Sequence, residues 1–120
     1  MERYMKSILK EFPNFSWSNI KAIHNLQMKY PKVQDGHGKS LLIIQFLYEE
    51  GESKYDFLFY FYAPRTLVLE TSGEYQQISL TVHNMKERGW EGILYEVEDY
   101  EEQRLSFYCE DIEFIHAEKM

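Results

Sequence analysis

Tyr55-Asp56-Phe57-Leu58-Phe59-Tyr60-Phe61-Tyr62 carries six aromatic rings in eight positions. In an extended chain, successive side chains point to opposite faces. One face then presents Tyr55, Phe57, Phe59 and Phe61. The other presents Leu58, Tyr60 and Tyr62 after Asp56. Both faces must meet something apolar. The expected arrangement sets one face on a core and the other under a helix or at a surface patch. Pro64 breaks the strand.

The neighbouring segments extend the same reading. Residues 40–49 are apolar on both faces, as a central strand should be, and Glu49-Glu50-Gly51-Glu52-Ser53 forms a hairpin loop to the aromatic strand. Residues 20–30 alternate, with Ile20, Ala22, His24, Leu26, Met28 and Tyr30 on one face and Lys21, Ile23, Asn25, Gln27 and Lys29 on the other. Pro31 ends that strand, and residues 32–39 read as a polar turn. Further strands are expected at residues 66–70, 78–82, 93–97 and 105–115. Turn signals at Ser72-Gly73-Glu74 and along residues 84–92 separate them. Only residues 2–12 have helical spacing, with Tyr4, Met5, Ile8, Leu9 and Phe12 on one side and Lys6 and Lys10 on the other, stopped by Pro13.

One helix and about seven strands with short connections favour antiparallel pairing. No helical segment is available for a crossover, so a parallel sheet is excluded. The expected fold is mainly β (α+β), a curved sheet or sandwich with the short N-terminal helix on one face or edge. At 120 residues and 14.5 kDa, residues 1–120 make a single domain with enough surface to bury for a core without metal or disulfide staples.

Several functional classes lose their basis here. The single cysteine, Cys109, permits no internal disulfide and fits a reducing compartment. The opening residues lead into no apolar run of signal-peptide length, and no stretch approaches the ~18–20 apolar residues of a membrane span. The expected location is the cytoplasm, with no membrane partner. Gly36-His37-Gly38-Lys39-Ser40 resembles the tail of a phosphate-binding loop, but Val33 stands where that pattern needs glycine, and Leu41-Leu42-Ile43-Ile44 reads as a strand where it needs a helix. His24, His37, His83 and His116 are scattered, without the close spacing of a metal motif. Cys109 and His116 lie seven apart on one expected strand, hence on opposite faces, and Glu110 and Asp111 would raise the thiol pKa. No carboxylate pair is singled out by spacing. No enzyme, cofactor or metal is therefore expected. The aromatic strand is flanked only by Lys54 and Arg65, and the net charge of -7 argues against nucleic acid.

The charge is uneven. Residues 1–60 hold 8 basic and 7 acidic side chains, a balance of +1, and residues 61–120 hold 5 and 13, a balance of -8. If residues 93–97 pair with 105–115, Asp99-Tyr100-Glu101-Glu102 is the hairpin tip, with Glu96 and Glu98 on one face beside it. Like charges so close repel by several tenths of a kcal/mol per opposed pair. Either the tip is fully solvated or a cationic partner relieves the repulsion. Tyr95 on the strand and Tyr100 in the tip are candidate anchors, since Tyr is enriched at interface hot spots. The candidate partner-binding set is Tyr95, Glu96, Glu98, Asp99, Tyr100, Glu101 and Glu102.

Chain order adds a likeness. Phe15-Ser16-Trp17-Ser18-Asn19-Ile20-Lys21-Ala22-Ile23 opens the first strand. Phe59-Tyr60-Phe61 and Leu67-Val68-Leu69 mark the middle. The end reads Leu105-Ser106-Phe107-Tyr108-Cys109-Glu110-Asp111-Ile112-Glu113-Phe114, with a Phe-x-Cys-x-x-Ile pattern. This resembles small acidic β-rich bacterial proteins that include immunity proteins of polymorphic toxin systems. Many of those carry a Ser-Phe-His-Asp-like segment where this chain has Ser16-Trp17-Ser18-Asn19. The resemblance implies a non-catalytic protein that binds and blocks a cognate toxin. The expected function is therefore neutralisation of a basic protein partner, a toxin or nuclease, through an acidic surface. The alternatives are a ligand-binding β domain whose aromatic strand lines a cavity, and a homo-oligomeric structural protein.

Overall fold

A computed structural model describes residues 2–31, 38–71, 76–85 and 94–120. Helix α1 (Arg3–Glu11) and a 3-10 turn (Trp17–Asn19) precede nine strands: β1 (Ile20–Lys29), β2 (Leu41–Glu50), β3 (Ser53–Tyr62), β4 (Arg65–Leu69), β5 (Gln76–Gln77), β6 (Leu80–Asn84), β7 (Tyr95–Asp99), β8 (Leu105–Cys109) and β9 (Asp111–Lys119). They form two antiparallel sheets, ordered β5-β1-β2-β3-β9 and β4-β8-β7-β6. The mainly β reading holds, with nine strands in place of about seven. One addition is the two-residue β5. The other comes from the segment at 105–115, which divides at Glu110. Its first part, β8, belongs to the smaller sheet and its second part, β9, to the larger. Cys109 and His116 therefore lie on different strands.

The aromatic strand occupies the centre. Phe57, Phe59 and Phe61 are completely buried. Opposite them on β2 stand Phe46, Ile44 and Leu42, and β9 contributes Phe114 and Ile112. The smaller sheet closes the same core with Leu80, Val97, Leu105, Phe107 and Cys109. A T-shaped contact between Phe61 and Phe107, 5.0 Å between ring centres, joins the two sheets. Such edge-to-face geometry suits the ring quadrupoles.

Helix α1 forms because Tyr4, Ile8 and Phe12 recur one turn apart, and Pro13 prevents its continuation. All three side chains are buried. Tyr4 meets Tyr95 of the smaller sheet at 5.7 Å. Phe12 meets Phe57 of the larger sheet at 4.8 Å. The helix thus closes one end of the core, on the same side as Phe57. The opposite face of β3, with Leu58, Tyr60 and Tyr62, is half-buried at the surface.

Two irregularities in β1 change its expected faces. Its register to β2 shifts between Ile20 and Ala22 and again between Ile23 and Asn25. Each extra residue inverts the alternation that follows. Ile20 is in the core, and Ile23, Leu26 and Met28 pack against it. His24 leaves that row and faces Asp56 at 3.3 Å. Gly51 sits at the β2–β3 turn with φ 61°, a left-handed backbone that a two-residue hairpin needs. Gly38 answers a close approach, since a Cβ there would stand 2.6 Å from the Pro31 Cβ. After Gly38-Lys39-Ser40 the chain enters β2, so no helix N-terminus is available for a phosphate. Of the expected turns at residues 32–39, 72–74 and 84–92, residues 32–37, 72–74 and 86–92 lie outside the described residues, as does Ile93. Among the described residues, no helix is long and apolar enough to cross a membrane.

Candidate functional site

The smaller sheet has an inner and an outer face, set by strict alternation. On β7, Tyr95, Val97 and Asp99 point inward, and Glu96 and Glu98 are half-exposed on the other face. On β8, Leu105, Phe107 and Cys109 point inward, with Ser106 and Tyr108 outward. The register aligns two outward rows across the four strands. One row runs His83, Glu96, Tyr108, Arg65, and the other Thr81, Glu98, Ser106, Val68. A groove of about 440 Å³ lies on this face, lined in part by Thr66, Glu70, Glu96, Glu98, Ser106 and Tyr108. Thr66 holds a left-handed φ of 54° within the irregular β4–β8 pairing. That conformation costs a β-branched residue about 1–2 kcal/mol.

The β7–β8 connection is the expected acidic tip. Tyr100 is 54% exposed, and Glu101 and Glu102 are exposed beside it. The Tyr100 amide donates to the Ser79 carbonyl at 3.0 Å, and the Gln103 amide to the Asp99 carbonyl at 3.0 Å. A second groove, about 140 Å³, runs between the tip and the segment before β6, lined by Ser79, Asp99, Glu101, Glu102 and Arg104 among others. Arg104 is paired to Glu102 at 2.8 Å, so its charge is already offset.

Two of the seven expected partner-binding residues do not reach the surface. Asp99 is 1% exposed. Its carboxylate accepts the Ser79 amide at 3.1 Å and the Arg104 amide at 3.3 Å, holding the tip in shape. Tyr95 is 4% exposed, and its hydroxyl donates to Glu2 at 2.7 Å. Burial, the bond to Glu2 and the charge of Glu2 together push its pKa upward. Both residues stand in the inward phase of β7, which residue type alone does not reveal. Glu96, Glu98, Tyr100, Glu101 and Glu102 are the members presented to solvent. His83 joins them through strand pairing and Glu70 by lining the same groove, and no spacing along the chain signals either.

Glu110 and Asp111, outside this region, are paired with cations. Lys39 and Glu110 pair at 2.7 Å, and Arg3 and Asp111 at 3.3 Å, in a groove that also contains Tyr62. The Tyr62 hydroxyl donates to Glu113, and that bond is the main reason its pKa rises to about 12. Phe57, Phe59 and Phe61 are packed solid among other rings, and the grooves described here are lined by other residues.

Cys109 is fully buried. Burial first, and then the charge of Asp111, push its thiol to about 12. A thiolate is the reactive form. The native chain should therefore resist a thiol reagent such as dithionitrobenzoate at pH 8, and should react with one equivalent in denaturant. Rapid native labelling would show that the β8 core opens.

No protein-family model, no curated protein and no solved structure matches the chain.

Proposed function

We propose that this chain is a non-catalytic, immunity-type binding protein that neutralises a basic partner protein through the outer face and tip of the smaller sheet. One observation carries the reading. Glu70, Glu96, Glu98, Glu101 and Glu102 border two adjoining grooves, and among the described residues the one guanidinium lining either, Arg104, is already paired to Glu102. A surface left negative in this way attracts a cationic protein over a distance of about the Debye length, ~10 Å at 0.1 M salt, and raises its association rate. Tyr100 supplies an exposed ring next to these charges. Blocking is steric and electrostatic, and needs no cofactor. The resemblance of the chain to small acidic β-rich bacterial proteins that include immunity proteins supports the reading of a bacterial cytoplasmic antitoxic role.

The test uses a basic protein captured by this chain from its native host, measured by stopped-flow association at several salt concentrations. The wild type should associate at a rate that falls steeply with salt. The E96Q/E98Q/E101Q/E102Q variant should associate about tenfold more slowly at low salt, with a flatter salt dependence. Equal rates for the two chains would overturn the acidic-surface mechanism.

A further inference from the structure

We propose that His83, Glu96 and Glu98 bind one divalent cation of the zinc class on the outer face of β6 and β7. The inference does not rest on the toxin-binding reading, because it concerns the isolated chain. It starts from the register, which places His83 directly opposite Glu96. Glu98 follows two residues later on the same face of β7, beside the imidazole. One donor atom from each side chain lies within 4.8 Å of the other two. Two of the three are closer still, His83 Nε2 standing 3.4 Å from Glu98 Oε1.

That separation has a metric meaning. Zinc holds nitrogen and oxygen donors at about 2.0–2.1 Å in a tetrahedron, so neighbouring donors stand about 3.3–3.4 Å apart. The imidazole and the Glu98 carboxylate already span one tetrahedral edge. Glu96 completes a third corner by side-chain rotation. Among the described residues, no hydrogen bond or ion pair satisfies the half-exposed Glu96 carboxylate. A cation at the shared centre would satisfy it and cancel the repulsion between Glu96 and Glu98. Three protein donors leave the fourth position to water, the pattern of an open zinc site.

The donor set also selects the ion. Calcium and magnesium take oxygen ligands almost throughout, and magnesium keeps its waters. An imidazole nitrogen shifts preference to first-row transition metals and zinc. His83 is exposed, so the ion has an entry path from solvent. The likeness to a metal motif is invisible along the chain, because His83 and Glu96 are thirteen residues apart and only the β6–β7 pairing joins them.

Isothermal titration of the metal-free chain with zinc alone should give one site per chain. His83→Ala, Glu96→Gln and Glu98→Gln should each weaken it by at least about tenfold, as loss of metal-site partners does. Magnesium at equal concentration should not compete. These side chains point outward, and unchanged thermal unfolding without zinc would confirm that the variants fold. A second measurement uses the wild type only. Zinc should move the imidazole nitrogen resonances of His83 and leave those of His24 and His116 in place. Absence of a one-to-one site, zinc binding that the three substitutions change by less than about twofold, or a shift at another histidine would overturn the proposal.

Discussion

Replacing Phe57 with alanine is expected to lower the unfolding free energy by about 3–5 kcal/mol, the range for removing a large buried aromatic side chain. Phe57 is completely buried. Its ring stacks on Tyr48 at 4.3 Å, meets Phe12 at the end of helix α1 at 4.8 Å and Phe114 of β9 at 5.3 Å. Truncation therefore loosens helix α1, β2 and β9 at once. The neighbouring rings Tyr48, Phe114 and Phe12 are themselves held by Phe15, Phe59 and Tyr55, so the site collapses only in part and a void remains. Domains of this size are stable by about 5–15 kcal/mol, so the variant should be near its limit at 37 °C. Urea unfolding followed by Tyr and Trp fluorescence measures the loss. Phe57→Leu keeps more of the volume and should lose less. A loss below about 1 kcal/mol in the alanine variant would show that the aromatic cluster is not packed as described.

Asp99→Ala is expected to cost about 2–5 kcal/mol for a different reason. The carboxylate is almost fully buried and accepts two backbone N–H groups, from Ser79 and Arg104. Removing it leaves both part-buried donors without their acceptor, each costing up to about 1–3 kcal/mol, and water reaches them in part, which keeps the sum below its upper limit. Both contacts bind the tip, one to the segment preceding β6 and one to the return into β8. The damage should thus be local as well as global. Amide hydrogen exchange should accelerate at Ser79 and Arg104, while protection across β2 and β3 stays near the wild-type pattern at matched stability. Asp99→Asn keeps one acceptor oxygen and should fall between the wild type and alanine. If the amides of Ser79 and Arg104 stay protected in the alanine variant, the carboxylate is not what holds the tip.

Asp99 also illustrates the limits of reading charge from sequence. It stands in a run of acidic residues and is expected at an interface with Tyr95 and the five others. Alternation along β7 turns Tyr95, Val97 and Asp99 inward and leaves Glu96 and Glu98 outward. The difference between a surface acid and a structural one is a matter of strand phase, and phase depends on the partner strand. The same holds for β1. A strand read as one continuous alternation carries two register shifts, which return Ile23 to the core side and release His24 to Asp56.

The sequence by itself determined the local devices. Spacing of Tyr4, Ile8 and Phe12 before Pro13 is enough for a helix, because its periodicity and its stop are both short-range. Alternating rings in Phe57, Phe59 and Phe61 are enough for a strand with one face that must be buried. Clustering of acid between β7 and β8 is equally plain, since the hairpin joins neighbours in the chain. Tertiary structure alone decided the rest. It split the segment at 105–115 between two sheets at Glu110, sent Asp99 inward, and brought His83 beside Glu96 and Glu98. Those outcomes depend on the hydrogen-bonded register of each strand with its partners, where a shift of one residue exchanges the faces of a whole strand.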